Sequence, residues 1–460
     1  MDSSSSDQVK QRNQASLGGV EPVLIESASP ASSLSEKRLI SLIAICFLTQ
    51  GISQHFSLLS QPLNSFLKDR LALSAFDMSC FFALLMFPWV IKPIYGIICD
   101  TIPGQGRGRL SYLFLGNLVT ALLYVCLALC FCAYDQFATL LSGRWQAFAI
   151  VFFLFLGSTG MALVTVVTTS LSASSHLPRR LFGLQGFAYY LANIPALILG
   201  GYLAQSVATG TIAQASLVMS GALVLAALPA LMTAAFLWRD MWKERHLFHD
   251  FKVSQEKSKV SLFGFIGKEA QSSFCEFFSE RHLKATLIFL ALWNFSPSLG
   301  TGLYFYERNI LKFSPELIAN LAAVSSFGML IGSLLYGLVN KRFDLKWMAG
   351  WSILASLLYV FLQDPFIAFA IEFFRGFSLS IFTLFLYSLA AEVAPVKNNA
   401  FAMALFICFY NLANELGMVF GGLLYSSLCE RLSGSILPLI AVSIATTLLS
   451  LFCIPFMKKE

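Results

Sequence analysis

One feature constrains this chain above all others. Twelve stretches of roughly 20 predominantly apolar residues recur between Leu39 and Phe456, each about the length a helix needs to cross a 30 Å hydrocarbon core. They lie near 39–59, 76–99, 110–132, 147–170, 181–206, 214–238, 283–306, 316–339, 347–363, 366–393, 400–426 and 434–456. Lipid offers peptide groups no hydrogen bonds, so segments of this kind must satisfy their backbones internally, as helices. Charged residues make up 12% of the 460 and hydrophobic ones 57%, whereas a soluble domain carries about 25% charged residues. The polar surface that a water-facing globule requires is missing. The expected fold class is an all-α membrane protein.

Basic residues set the expected orientation, because translocating positive charge is disfavoured. With the N-terminus in the cytoplasm, inside loops and tails hold 23 of the 31 Lys and Arg residues and outside loops hold 6. Both termini are therefore expected on the cytoplasmic side. The net charge of +6 then reports topology, not nucleic-acid binding. Residues 1–36 are rich in Ser and Gln, include five acids and lack the apolar run of a signal peptide. They fit no transit peptide either and read as a disordered cytoplasmic tail. A plasma membrane (in bacteria, the inner one) is expected rather than an organellar one. Nine of the ten cysteines fall in or at the edges of the apolar runs, the tenth, Cys275, lies in the long central loop, and none form a Cys-x-x-Cys pair. They read as small buried side chains, so neither metal nor cofactor is expected.

The longest polar interruption, 239–282, divides the chain into two sets of six segments, 37–238 and 283–456, followed by a short tail, 457–460. Segment 5 reads Leu191-Ala192-Asn193, six residues, then Gly200-Gly201; segment 11 reads Leu412-Ala413-Asn414, six residues, then Gly421-Gly422. Segment 2 closes with Gly96-x-x-x-Asp100 and Arg107-Gly108-Arg109, and segment 8 with Gly337-x-x-Asn340-Lys341-Arg342. Two matches at equivalent places argue for a duplicated six-helix unit. Paired parallel halves suit a transporter that rocks about a site near the midplane.

Segment 2 contains Phe87-Pro88-Trp89-Val90-Ile91-Lys92-Pro93-Ile94-Tyr95-Gly96, then Cys99-Asp100. Segment 7 adds Leu292-Trp293-Asn294-Phe295-Ser296-Pro297-Ser298 and Tyr304-Phe305, and later come Ala391-Glu392-Val393-Ala394-Pro395 and Phe401-Ala402-Met403. These stretches resemble the folate–biopterin transporter family, a branch of the major facilitator superfamily. The resemblance implies a twelve-helix bundle of two six-helix halves, a small-molecule cargo of the folate or pterin type and no enzymatic activity. It also implies that Gly96, Asp100, Arg107 and Arg109 form a cytoplasmic latch between the halves, through contacts of charge with helix ends. The family usually carries two aspartates in segment 4; here the matching positions are Thr165 and Thr169.

Ionisable groups inside a bilayer are costly and mark function. Lys92 lies deep in segment 2 between Pro88 and Pro93, which distort a helix and free its carbonyls. It is expected either to attract an anionic ligand or to snorkel and neutralise Asp100. Arg375 lies about 15 Å into segment 10, with Glu372 one turn earlier on the same face. They form either a structural ion pair or a substrate site, in which the guanidinium fork takes a carboxylate and Glu372 holds the fork or exchanges a proton. Glu415 is a second proton-coupling candidate. Segment 1 offers Gln50, Gln54 and His55, of which Gln50 and Gln54 are i, i+4 neighbours on one face, and Asn294 is the rough counterpart in segment 7. Gln54 and Asn294 are expected substrate contacts, with Trp293 or Tyr304 stacking on a flat heteroaromatic. Asn193, Asn411 and Asn414 read as links between helices.

The expected function is a proton-coupled folate or pterin carrier working by alternating access, with the substrate, the lipid bilayer and protons as its partners. Two alternatives stay open at this point: a carrier of another anionic or heterocyclic metabolite, such as a nucleotide-like compound, and a transport-inactive scaffold.

Overall fold

A computed structural model describes residues 36–101, 109–141, 144–173, 178–243, 278–296, 300–339, 345–393, 399–432 and 434–457. The tail before Glu36, most of the 239–282 connection and the latch residue Arg107 lie outside the described residues. The described chain is all helical. Its elements are α1 (Glu36–Ser53), α2 (Ser60–Ser65), α3 (Ala75–Val90), α4 (Lys92–Thr101), α5 (Arg109–Cys132), α6 (Tyr134–Leu140), α7 (Arg144–Ala173), α8 (Pro178–Thr209) and α9 (Ile212–Lys243). They continue as α10 (Arg281–Asn294), α11 (Thr301–Asn309), α12 (Pro315–Val339), α13 (Leu345–Leu357), α14 (Pro365–Val393), α15 (Asn399–Leu424) and α16 (Leu437–Ser450). Among the described residues nine helices are long and apolar enough to cross a membrane. The first, seventh and ninth apolar segments appear instead as shorter pieces. The chain is a multi-pass integral membrane protein.

The breaks have local causes. Segment 2 parts at Ile91 (φ −84°, ψ 15°) into α3 and α4, with Pro88 and Pro93 on either side, because proline removes a donor and clashes with the preceding turn. At its other end α3 starts at a capping box: Ser74 Oγ accepts from the Asp77 amide at 3.1 Å while the Asp77 carboxylate accepts from the Ser74 amide at 3.4 Å. Segment 1 breaks between α1 and α2, and segment 7 between α10 and α11, so equivalent helices of the two halves are interrupted alike. Helix α9 runs on to Lys243, taking the first residues of the central connection into the last helix of the N-terminal half.

The paired glycines explain how the halves approach. A Cβ at Gly200 would strike the Leu58 carbonyl, and one at Gly201 would strike Ala319. In the second half, Gly302 on α11 comes against the Gly421 carbonyl, and a Cβ at Gly422 would collide with Ser79 and the Ala75 carbonyl. Gly200 thus lets α8 sit on the broken helix of its own half, whereas in the second half it is Gly302, on the broken helix itself, that lets α11 approach α15. Gly201 and Gly422 each let their helix sit on a helix of the other half.

The apolar packing is unequal at the two ends. One core joins both halves, from Leu58, Leu63, Phe66 and Met78 to Leu303, Phe313, Leu321 and Leu439. Away from it the cores are separate: one around Leu42, Leu113, Val167 and Leu237 and a smaller one around Trp89, Tyr95 and Met161 in the first half, and one around Leu287, Phe289, Phe382 and Phe406 in the second. The end bearing the joint core is also locked by polar contacts. Asp69 Oδ2 accepts from Arg308 Nη2 at 2.9 Å across the halves. Arg70 donates to the carbonyls of Val207 (2.6 Å) and Ala208 (3.1 Å) and to that of Gly210, which satisfies the otherwise unpaired last carbonyls of α8.

Candidate functional site

Beneath this closed end lies a cavity of about 300 Å³. The break in segment 1 places Phe56 and, on α2, Ser60, Gln61 and Asn64 on one wall. The second half of segment 7, α11, supplies Thr301, Tyr304 and Glu307, and α14 supplies Glu372 and Arg375. Phe82 and Met418 complete it from α3 and α15. Both halves thus contribute side chains to one space.

Arg375 and Glu372 meet as the i, i+3 spacing requires. The Arg375 fork donates through Nε at 2.8 Å and Nη2 at 2.6 Å, both to Glu372 Oε2. The other carboxylate oxygen, Oε1, accepts from the Tyr359 hydroxyl at 2.6 Å. Glu372 and Glu307 are both buried, 4% and 5% exposed. Among the described residues no hydrogen bond or ion pair holds the Glu307 carboxylate, although Glu372 and Arg375 act on it electrostatically. The Gln61 side-chain oxygen is also buried and has no partner among the described residues. The cavity therefore offers a guanidinium, two carboxylates, unused amide acceptors and the rings of Phe56, Phe82 and Tyr304.

The remaining sequence candidates lie elsewhere. Lys92 stands 4.3 Å above the Trp89 ring, a cation–π contact. Asn294 donates to the Tyr410 carbonyl at 2.7 Å, a link between α10 and α15. Gln54 accepts from Gln50 at 3.5 Å, and Gln50 in turn accepts from Thr165 at 3.1 Å. The threonine at the first missing aspartate is thus tied to segment 1. Thr169 has no such tie among the described residues. His55 shares a 3.0 Å contact with Ser158, and Trp293 packs in the second-half core with Phe289 and Phe382. Glu415 accepts from Asn414 at 3.2 Å and leaves its second oxygen buried without a partner among the described residues. It is one turn along α15 from Met418. Asn193 joins three segments, donating to Ser57 at 2.7 Å and accepting from Ser326 at 2.9 Å; Asn411 reaches the Trp89 carbonyl at 3.4 Å. Of the latch, Gly96 ends in open space on α4 and Arg109 begins α5, while the side chain of Asp100 and all of Arg107 lie outside the described residues.

Glu307, Tyr359 and Gln61 are the site residues that sequence reasoning missed. Segment 7 was expected to end at 306. The interruption between α10 and α11 consumes several residues, so α11 reaches Asn309 and Glu307 stays inside. The signal was present: an acid immediately before Arg308, itself paired with Asp69.

With this geometry in hand, comparison decides the family. The model of the BT1 family matches residues 50–368, well over half of the chain. The chain belongs to this family of folate–biopterin transporters. A model of the Major Facilitator Superfamily also matches residues 282–458. The folate-biopterin transporter of Synechocystis sp. is 25% identical over 84% of this chain and 74% of its own length. Folate transporter 1 of Plasmodium falciparum is 26% identical over 61% of this chain, which spans about half (49%) of that relative. Among solved structures, the D-xylose-proton symporter superposes with a TM-score of 0.64 at 15% identity, covering 91% of this chain and 97% of its own. The nucleoside transporter NupG gives 0.60 at 13% identity, covering 92% and 98%. At such identities these structures establish the fold alone, a major-facilitator-type helical bundle. The protein is a membrane transport protein, not an enzyme.

Proposed function

We propose that this member of the BT1 family carries folate or pterin compounds across a plasma membrane by alternating access, coupled to protons. Twelve crossings, both termini in the cytoplasm, six-helix bundles at 37–238 and 283–456 and a cytoplasmic connection between them complete the reading. The observation that carries it is Arg375: a guanidinium facing a cavity lined by both halves and, among the described residues, hydrogen-bonded to the Glu372 carboxylate alone, which can be exchanged. Two N–H groups of that fork now converge on one oxygen of Glu372; a substrate carboxylate placed there takes them with one oxygen each, the bidentate geometry. A pterin ring is flat, and its amino-amide edge is rich in N–H donors. Phe56, Phe82 and Tyr304 offer stacking faces, and the free oxygen of Gln61 offers an acceptor. Proton coupling through a buried carboxylate, with Glu372 and Glu415 as the candidates from sequence, follows from the cost of holding charge inside the bilayer.

A second reading keeps the mechanism and changes the cargo to another anionic heterocycle, such as a nucleotide-like metabolite. Its support is Thr165, which replaces an expected carboxylate and is bonded to Gln50. Counterflow of radiolabelled folate in proteoliposomes separates the two. Inhibition by pterins and not by nucleotides supports the first; the reverse supports the second.

A further inference from the structure

The charges around the cavity do not balance. Glu307 on α11 and Glu372 on α14 face one guanidinium, Arg375, so with all three ionised the group carries a formal charge of −1. An anion entering that group would raise it to −2 beside two buried carboxylates, where like charges repel strongly. Glu372 is engaged on both oxygens, by Arg375 and by Tyr359. Glu307 is engaged on neither among the described residues.

We infer that Glu307 is the proton-carrying residue of the transport cycle. The inference rests on the proposed function and names the acid of the same site that does the coupling. In the empty state Glu307 takes one proton from water, its carboxylate becoming a carboxylic acid, and the group is neutral. A substrate carboxylate then replaces Glu372 on the Arg375 fork, and the group with its ligand carries −1. After reorientation the proton returns to water and the group regains its starting charge. One proton moves with one substrate carboxylate.

Every titratable group that bears on Glu307 fits this assignment. On α14 these are Glu372 and Arg375. Tyr359 hands its hydroxyl to Glu372, and on α11 itself Tyr304 faces the same cavity. Arg308, the next residue, is committed to Asp69, with Lys68 3.6 Å from the same carboxylate. Adjacent helical positions point about 100° apart, so one turn of α11 aims an acid into the cavity and a base at the closed end. Helix α11 starts about two turns earlier, after Gly300, whose φ of +79° suits glycine, with Met418 crowding the place of a side chain. The proton site and the closure share one short helix.

The test compares Glu307→Gln, Glu372→Gln and Glu415→Gln with wild type in proteoliposomes. Glu307→Gln is expected to lose folate accumulation driven by a pH gradient while counterflow at equal pH persists. Accumulation equal to wild type would overturn the assignment. So would loss of counterflow, which would make Glu307 a substrate contact. A second readout needs no substrate: in infrared titration of the purified proteins, a carboxylic-acid band is expected to disappear in Glu307→Gln and to remain in the other two variants. A band unchanged in Glu307→Gln overturns the inference even if wild type moves no folate, the result that defeats the proposed function instead.

Discussion

At the scale of single residues, the site is a contest for one guanidinium. Arg375 is bound twice by Glu372, so a ligand must offer equal geometry to displace it. Lysine keeps the charge and loses the fork. Arg375→Lys is therefore expected to weaken substrate binding by about 1.5 kcal/mol, roughly tenfold, measured as the half-saturation concentration for counterflow. An unchanged value would mean that the fork is not used. The sequence disclosed this pair because ionisable residues are rare in apolar runs and three positions along a helix bring them together. It did not disclose Glu307, since its depth depends on an interruption that hydropathy does not register. Gln61 and Tyr359 were missed for a related reason: amides and tyrosines are common in such helices, and only packing tells which ones face a cavity. Asn294 and Gln54 looked equally suited to a ligand, but their amides are spent on Tyr410 and Gln50.

At the scale of elements, the same duplication that is visible in the sequence governs the packing. Gly200 and Gly201 let α8 meet a broken helix of its own half and a helix of the other half, and Gly302 and Gly422 do the same for α15. The repeat was legible as a pattern, while its meaning required coordinates. Breaks at Pro88 and Pro93 were legible from the ring chemistry of proline, and Pro297, which falls in sequence between α10 and α11, marks the break in segment 7 in the same way; the break in segment 1 was not legible, because 39–59 holds no proline. Filling the cross-half contact has a directional consequence. Gly201→Leu is expected to push α12 away from α8 and disfavour closure at this end. A Ser60→Cys reporter in the cavity should then react faster with a membrane-impermeant thiol reagent added from outside than the same reporter does with Gly201 intact. No change in rate would show that α8 and α12 do not close the cavity.

At the scale of the whole molecule, the two halves share an apolar core and an ion pair at one end and have separate cores at the other. Alternating access requires that the joint end part. The Asp69–Arg308 pair is a small but adjustable share of that closure: partly exposed pairs contribute about 1 kcal/mol, and the shared core contributes the rest. Asp69→Asn is expected to shift the equilibrium toward opening of this end by roughly fivefold, measured from distances between spin labels on α2 and α11. An unaltered distance distribution would remove the pair from the gate. Fold class and bundle architecture were written in the apolar runs, which constrain every residue of a segment at once. The conformation was not, because two nearly equivalent halves encode both closures alike. The central claim, that this molecule moves folates on Arg375, is tested most directly by counterflow of radiolabelled folate into proteoliposomes. Saturable uptake by the wild type that falls to the protein-free level in Arg375→Ala, with folding intact, is the predicted result; uptake unaffected by that substitution, or absent from the wild type, would contradict it.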